Sequence, residues 1–375
     1  MAKKIIFLLL AALFITAISY VIVQSEKLSL LVSFVPEKIA VFKNVHMSGV
    51  EGSTEAWEVY ADEGWTAKDK FTTTLDHVTN AILKRDDRLL IKGLRARRMR
   101  ISKNKDIEVL KKVDDDKGGS GYLRVMIDFG ALSNPPKKEA KFSFLAADCI
   151  RFNPDSKKGS VQGNITLTKD KLDIHSDRIS MDLNNNIATF ETRSSFIKEG
   201  SSLLSDSAIA FFDEGTIDMS GSVEVMQKNK KAHSDSATYD DNTRTIVMTS
   251  NVNALIEKPK SLIKEETSNK YEDEESKKAL MARTTITCKK LVINTDNNDC
   301  TAYGDVYVMQ KENEAKSDQA DYSEKTEKIV MTGNVYMKQK EDWVKADKVI
   351  VSIDREMFEA IGGVETTFKV KKGSR

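Results

Sequence analysis

Cysteine is scarce in this chain: Cys149, Cys288 and Cys300 are the only three among 375 residues. Three thiols cannot all pair, and none stand in a C-x-x-C spacing, so neither a disulfide framework nor a cysteine zinc site organises the fold. Histidine occurs only four times, at scattered positions, which removes the other common zinc ligand. A dominant charge is missing as well. Lys+Arg 58 against Asp+Glu 57 leaves a net charge of +1, and no global field draws the protein to nucleic acid. Proline (5) and aromatic residues (7%) are also few, whereas Val, Ile, Thr and Ser are abundant, a composition that suits short strands and polar turns.

One long apolar run stands out, from Ile5 to Val23 after Lys3 and Lys4. As a helix it would extend roughly 28 Å, close to the hydrocarbon thickness of a bilayer. That length favours an uncleaved anchor over the shorter core of a secretory signal, although Ala17-Ile18-Ser19 would serve as a cleavage site. The lysines place the N-terminus in the cytoplasm and the remainder beyond the membrane.

What fills the rest is repetition. Gly304–Val335 repeats Gly221–Val252 without a gap, with about half of the positions identical. A finer period lies beneath it. Small corner residues fall at Gly163, Thr192, Gly221 and Ser250, then at Gly304, Gly333 and Gly362. Within each run they are evenly spaced, one every ~29 residues, a period typical of stacked repeat architectures. The step from Ser250 to Gly304 is longer and holds a charged insertion, 257–281. Fifteen residues before the corner stands an aspartate (Asp148, Asp177, Asp206, Asp235, Asp318, Asp347), replaced once by Lys289, usually after a Ser or Ala.

Apolar residues occur two and four positions on either side of each corner, such as Ile246 and Met248 before Ser250 and Val335 and Met337 after Gly333. Spacing by two is strand periodicity and puts these residues on one face. No 3.6-residue stripe appears within a unit. Each unit therefore reads as two strands joined by a polar turn, and the turn in mid-unit favours antiparallel pairing. The parity of the corner predicts that it too faces inward. Stacked units of this kind make a long two-layered or U-shaped all-β body with one apolar interior. Upstream, Trp57-Glu58-Val59-Tyr60-Ala61-Asp62 alternates as a half-buried strand does, while 114–121 and 134–138 read as loops.

The run Ile329-Val330-Met331-Thr332-Gly333-Asn334-Val335-Tyr336-Met337-Lys338-Gln339, followed by Ala346-Asp347-Lys348 and Phe358-Glu359-Ala360, resembles LptA, of the LptA/LptC (OstA-like) family of periplasmic lipopolysaccharide-transport proteins. The apolar N-terminal segment, the Trp57–Asp62 motif and Ser176-Asp177-Arg178-Ile179 are similar to the membrane-anchored LptC branch. The resemblance implies a β-jellyroll with one N-terminal transmembrane helix. Its parts are an anchor (1–25), an LptC-like β region (26–140), jellyroll repeats (141–256), the insertion (257–281) and LptA-like repeats (282–375). It further implies a non-enzymatic protein without cofactor, held at the inner membrane with its bulk in the periplasm. The implied partners are lipopolysaccharide, an inner-membrane ABC transporter, other jellyroll bridge proteins and the outer-membrane translocon. The acyl chains would lie along the inward aliphatic set: Ile165, Leu167, Ile174, Phe190, Met219, Val223, Val225, Ile246, Met248, Val306, Val308, Ile329, Met331, Val335 and Met337. The plainer reading of the same residues is a closed core.

Other candidates have structural readings. An aspartate after serine at a strand bend bonds nearby backbone amides more often than it binds metal. Without clustered carboxylates or a partnered histidine there is no acid/base pair, which disfavours a β-helical polysaccharide enzyme. Arg95, Arg97, Arg98 and Arg100 suit either lipid phosphates or a solvated sheet edge. A Cys288–Cys300 disulfide in an oxidising compartment stays open, because the turn between them does not put the two clearly opposite each other.

Overall fold

The computed structural model describes residues 38–367 apart from 52–54, 68–70, 86–87, 113–120, 129–141, 154, 170, 199, 228–229, 257–282, 311–312 and 353–356. The expected anchor at 1–25, the loops at 114–120 and 134–138 and the charged insertion therefore lie outside the described residues. Among the described residues there is no helix, and so none long and apolar enough to cross a membrane.

Among the described residues twenty-four strands form one sheet, and every pairing is antiparallel. Four long strands lead: β1 (Lys38–Glu51), β2 (Glu55–Ala67), β3 (Thr72–Arg85) and β4 (Arg88–Ser102). Four short ones follow: β5 (Ile107–Leu110), β6 (Leu123–Asp128), β7 (Phe142–Ala146) and β8 (Cys149–Asn153). Then come the long β9 (Lys158–Lys169) and β10 (Leu172–Asp182) and the short β11 (Ile187–Phe190), β12 (Ser194–Lys198), β13 (Ser201–Ser205) and β14 (Ser207–Phe211). Eight long strands make up most of the remainder: β15 (Thr216–Gln227), β16 (Lys230–Asp240), β17 (Thr245–Ile256), β18 (Thr284–Asn294), β19 (Cys300–Gln310), β20 (Asn313–Ser323), β21 (Lys328–Gln339) and β22 (Asp342–Ser352). Short β23 (Met357–Ile361) and β24 (Glu365–Thr367) end the sheet.

The short strands are long strands cut in half. One half of β4 pairs with β6 and the other with β5, and both lines rejoin at β9 through β7 and β8. β10 likewise splits to β11 and β12, which pass through β14 and β13 to rejoin at β15. The long strands thus contribute to two walls on either side of a common crease.

The crease is built from the repeat. In β15 against β16, Ser220 faces Ser236 and Val223 faces Ser234, so Gly221 and Ser222 together oppose Asp235 alone. Both residues of this bulge are left-handed, at φ +74° and +44°. The same pair recurs at Gly163-Asn164, Ser250-Asn251, Gly304-Asp305 and Gly333-Asn334. Because two residues are set against one, alternation resumes in the same phase, and both Met219 and Val223 are buried. The corner does not face inward as its parity predicted: Ser250 is exposed. Left-handed geometry swings it out of the pleat. A Cβ added to Gly163 would lie 2.5 Å from the carboxylate of Asp148, and one added to Gly333 would collide with that of Asp318.

That carboxylate has a partner beyond those the sequence suggested. Asn164, Asn251 and Asn334, the second residues of the corner pairs, donate through Nδ2 to Asp148 (2.6 Å), Asp235 (2.6 Å) and Asp318 (2.8 Å). The expected bonds to nearby backbone amides are replaced by this cross-strand tie. The preceding serine acts on the backbone instead. Ser234 and Ser317 donate to the carbonyls of Ser236 (2.8 Å) and Gln319 (2.9 Å) beside the bend, where the regular ladder is interrupted. Where Lys289 replaces the aspartate, Asp305 replaces the asparagine, and the pair becomes an ion pair of 2.7 Å.

The crease continues into the N-terminal strands. Asp62 lies opposite left-handed Asn44 (φ +53°) on β1 and His77 (φ +54°) on β3, and His77 stands fifteen residues after Asp62, as in the repeats. Beside it, Asp76 takes hydrogen bonds from Arg98 (2.5 Å) and from the Trp65 indole (3.0 Å) in a largely buried group. Arg100 pairs with Glu108 (3.1 Å). The basic run is therefore not a solvated edge: β4 is paired on both sides, and Arg98 and Arg100 are cross-strand struts.

Candidate functional site: the interior and its seam

All fifteen predicted groove residues face one interior. Eleven are buried, among them Ile165, Ile174, Phe190, Val225, Ile246, Met248 and Val306, while Leu167, Val308, Ile329 and Met337 are partly buried against them. The cluster runs without a break from Val59 on β2 to Val349 on β22. Facing walls alternate medium-sized Val, Ile and Met with Ala, for example Ala232, Ala254, Ala302 and Ala320. A cavity of about 60 Å³ remains between the walls, lined by Val225, Ala254, Ile286, Leu291, Val308 and Ile329. A space of this size holds a few water molecules and not an acyl chain.

Cys300 lines this cavity, and burial pushes its thiol up to about 11. All three cysteines are free, so the Cys288–Cys300 pairing that the sequence left open is not formed. Cys300 lies opposite Ile293, five residues along β18 from Cys288, a separation of roughly 16 Å that no disulfide spans.

Opposite the crease, the tips of the two walls meet along a polar seam that no sequence motif announced. Lys198, at the end of β12 on one wall, donates to Tyr239 Oη (3.2 Å) and Asp241 Oδ1 (3.3 Å) on the other. Tyr239 in turn donates to Asp241 (2.9 Å). A second tie has the same composition. Lys230 donates to Glu324 (2.6 Å) and lies 4.3 Å from the centre of the Tyr322 ring, while Tyr322 donates to Glu324 (3.0 Å). Tyr322 and Glu324 occupy the same places in the later repeat as Tyr239 and Asp241 in the earlier one, so the sequence repeat carries half of each tie. Between them, Gln227 donates to the side-chain oxygen of Asn298, and Lys230 to its carbonyl (3.3 Å).

The electrostatics follow from this geometry. Burial alone would lower the Lys198 ammonium, but Tyr239 and Asp241 outweigh it and hold it above the usual lysine range. Burial and the bond to Glu324 push Tyr322 up. The lysines lie three and four strands from their acids along the sheet, an offset that sheet twist produces and that local sequence does not encode.

Residues 145–267 and 281–357 match the family described as "LptA/(LptD N-terminal domain) LPS transport protein", together more than half of the chain. Among solved structures the chain is similar to LptH of Pseudomonas aeruginosa, described as the LptA-homologous periplasmic component of the conserved lipopolysaccharide transport device. The identity is 11%, covering 45% of this chain and 95% of that one, with a TM-score of 0.27. Among curated proteins no relative matches. The matched family is one of lipid transport, not catalysis. With its repeated creased strands and unbroken apolar interior, the chain belongs to the LptA/LptD N-terminal domain family of lipopolysaccharide-transport proteins.

Proposed function

We propose that the chain is an inner-membrane-anchored β-jellyroll bridge that accepts lipopolysaccharide from an ABC transporter and passes it through the periplasm towards the outer-membrane translocon. The observation that carries this reading is the apolar interior that continues from β2 to β22. A conduit for acyl chains through water needs such a lining, since each buried methylene gains about 0.8 kcal/mol over exposure. The apolar run at Ile5–Val23 supplies the anchor, 26–140 the LptC-like part, and 141–256 and 282–375 the bridge repeats. Strand edges support docking in series. Among the described residues β1 is paired on one side only and exposes Ile39, Val41 and Phe42, and short β24 lies at the other end, so neighbouring jellyrolls can add by strand pairing.

Photo-crosslinking side chains in place of Met248 or Met331 test this. Captured lipopolysaccharide is expected from both and from neither Val247 nor Val330, which alternate to the outer face. Capture only from the outer positions would refute the groove. A second reading is a periplasmic scaffold that carries no lipid, favoured by the narrowness of the cavity. Under that reading no interior position captures lipid while assembly is normal.

A further inference from the structure

The seam has a gap among the described residues. Between the Lys198 tie and Asn298 lies a cleft of about 220 Å³, room for roughly seven waters. Its floor is apolar, made by Leu172, Phe196, Leu203, Ile217 and Met219, and Met219 belongs to the continuous core. Its rim carries Lys198 and Arg244 with Asp296 and Asn298. An apolar floor beneath a charged rim has the polarity of an amphiphile entering chain first.

The rim is asymmetric in a way that selects the sign of the head. Lys198 is 27% exposed and Asp241 59%, while Arg244 is 44% exposed and Asp296 65%. Lys198, Arg244 and Asp296 line the cleft and Asp241 does not, so a ligand in it meets two cations against one acid. Both pairs are loose, at 3.3 and 3.9 Å, and solvated ion pairs of this kind hold little. The Lys230–Glu324 tie differs: it is 2.6 Å long, with Lys230 only 14% exposed. The seam is therefore firmly closed at Lys230 and weakly closed at Lys198.

We infer that this cleft is where a phosphate-bearing acylated lipid enters the interior, with Lys198 exchanging Asp241 for a phosphate oxygen, Arg244 taking a second, and the leading acyl chain lying on Phe196 and Met219. The inference rests on the transport reading above. A phosphate offers several charged acceptors where Asp241 offers one carboxylate, and Arg244 can hold it through two parallel bonds. Exchange removes the Asp241 half of the tie and leaves only the Tyr239 bond joining the walls at this point, which couples arrival of the head to loosening of the tips.

The test uses the full-length chain with a photo-crosslinking side chain at Met331, far from the cleft, and two probes: lipid A carrying both phosphates and the same lipid A with its phosphates removed. In K198E/R244E the initial rate of capture of the phosphorylated probe is expected to fall on the order of tenfold, and that of the dephosphorylated probe by less than about twofold. D241N, which releases Lys198 from its acid, is expected to raise capture of the phosphorylated probe. Unchanged melting temperature shows that the variants fold. If the double variant does not, K198Q alone is expected to reduce capture selectively in the same direction. Equal loss for both probes, or no loss, would overturn the entry site while leaving the transport reading intact. Absence of capture by the parent chain with either probe would overturn both.

Discussion

The N-terminal strands and the repeat ladder bend at the same place by different means. In β15 to β22 the crease is a pair of left-handed residues, usually begun by glycine and locked by an Asn–Asp tie. In β1 to β3 a single left-handed residue, Asn44 or His77, stands opposite Asp62, with only a distant contact of 4.0 Å between His77 and Asp62. The fixing contacts there are the neighbouring Trp65–Asp76–Arg98 group instead. An aspartate at the crease is thus common to both regions, Lys289 excepted, whereas glycine stands where a Cβ would crowd the side chain opposite. The matched family region begins at residue 145, where the glycine form of the crease takes over.

Substitution at the two creases sharpens this contrast most. Gly333→Val is expected to destabilise the protein by about 2–4 kcal/mol, from left-handed strain plus overpacking against Asp318. His77→Gly, which relaxes a left-handed residue, is expected to change stability by less than about 1 kcal/mol. Urea midpoints of both variants decide the matter, and equal losses would remove the distinction between the two creases.

Next in size is the N-terminal ion group. Arg98→Ala strands a largely buried carboxylate and is expected to cost about 3 kcal/mol. The pH dependence has a definite sign. Burial alone would raise the Asp76 carboxyl, but hydrogen bonds from Arg98 and Trp65 outweigh it and hold it below 3.8. A depressed carboxyl stabilises the fold above its unfolded value, and this contribution is lost as pH falls through the folded one. Trp65 fluorescence followed below about pH 4 is therefore expected to report loosening of the N-terminal strands, and Asp76→Asn to abolish that step. A step that persists in D76N would assign it to other carboxylates.

The smallest expected effect belongs to the corner amide. Asn334→Ala removes one exposed tie to Asp318 and is expected to cost about 0.5–1.5 kcal/mol, measured by thermal melting. A charge-swapped pair, Asp318→Lys with Asn334→Asp, copies Lys289–Asp305 and is expected to recover most of the loss that Asp318→Lys alone causes.

Much of the crease was legible in residues alone. The even spacing of Gly163, Gly221 and Gly333, the aspartates fifteen residues earlier and the flanking Val, Ile and Met positions marked the bends, the strands and the inner face. What misled was parity at the corner itself, because simple alternation does not anticipate two left-handed residues in succession. The arginine run was misleading for another reason: its charge suggested a solvated edge, but β4 is paired on both sides, and Ala96 and Met99 beside Arg97 and Arg98 are both buried.

By itself, the sequence determined the strands, their inward faces, their antiparallel stacking and the family, because these depend on period and on neighbours within a single repeat. Only the tertiary structure decided how the tips meet. Lys198 finds Asp241, and Lys230 finds Glu324 across 94 residues, because the twist of the folded sheet brings three- and four-strand offsets into register. The looser tie at Lys198 and the tighter one at Lys230 likewise depend on contacts between distant strands, which no local pattern of residues records.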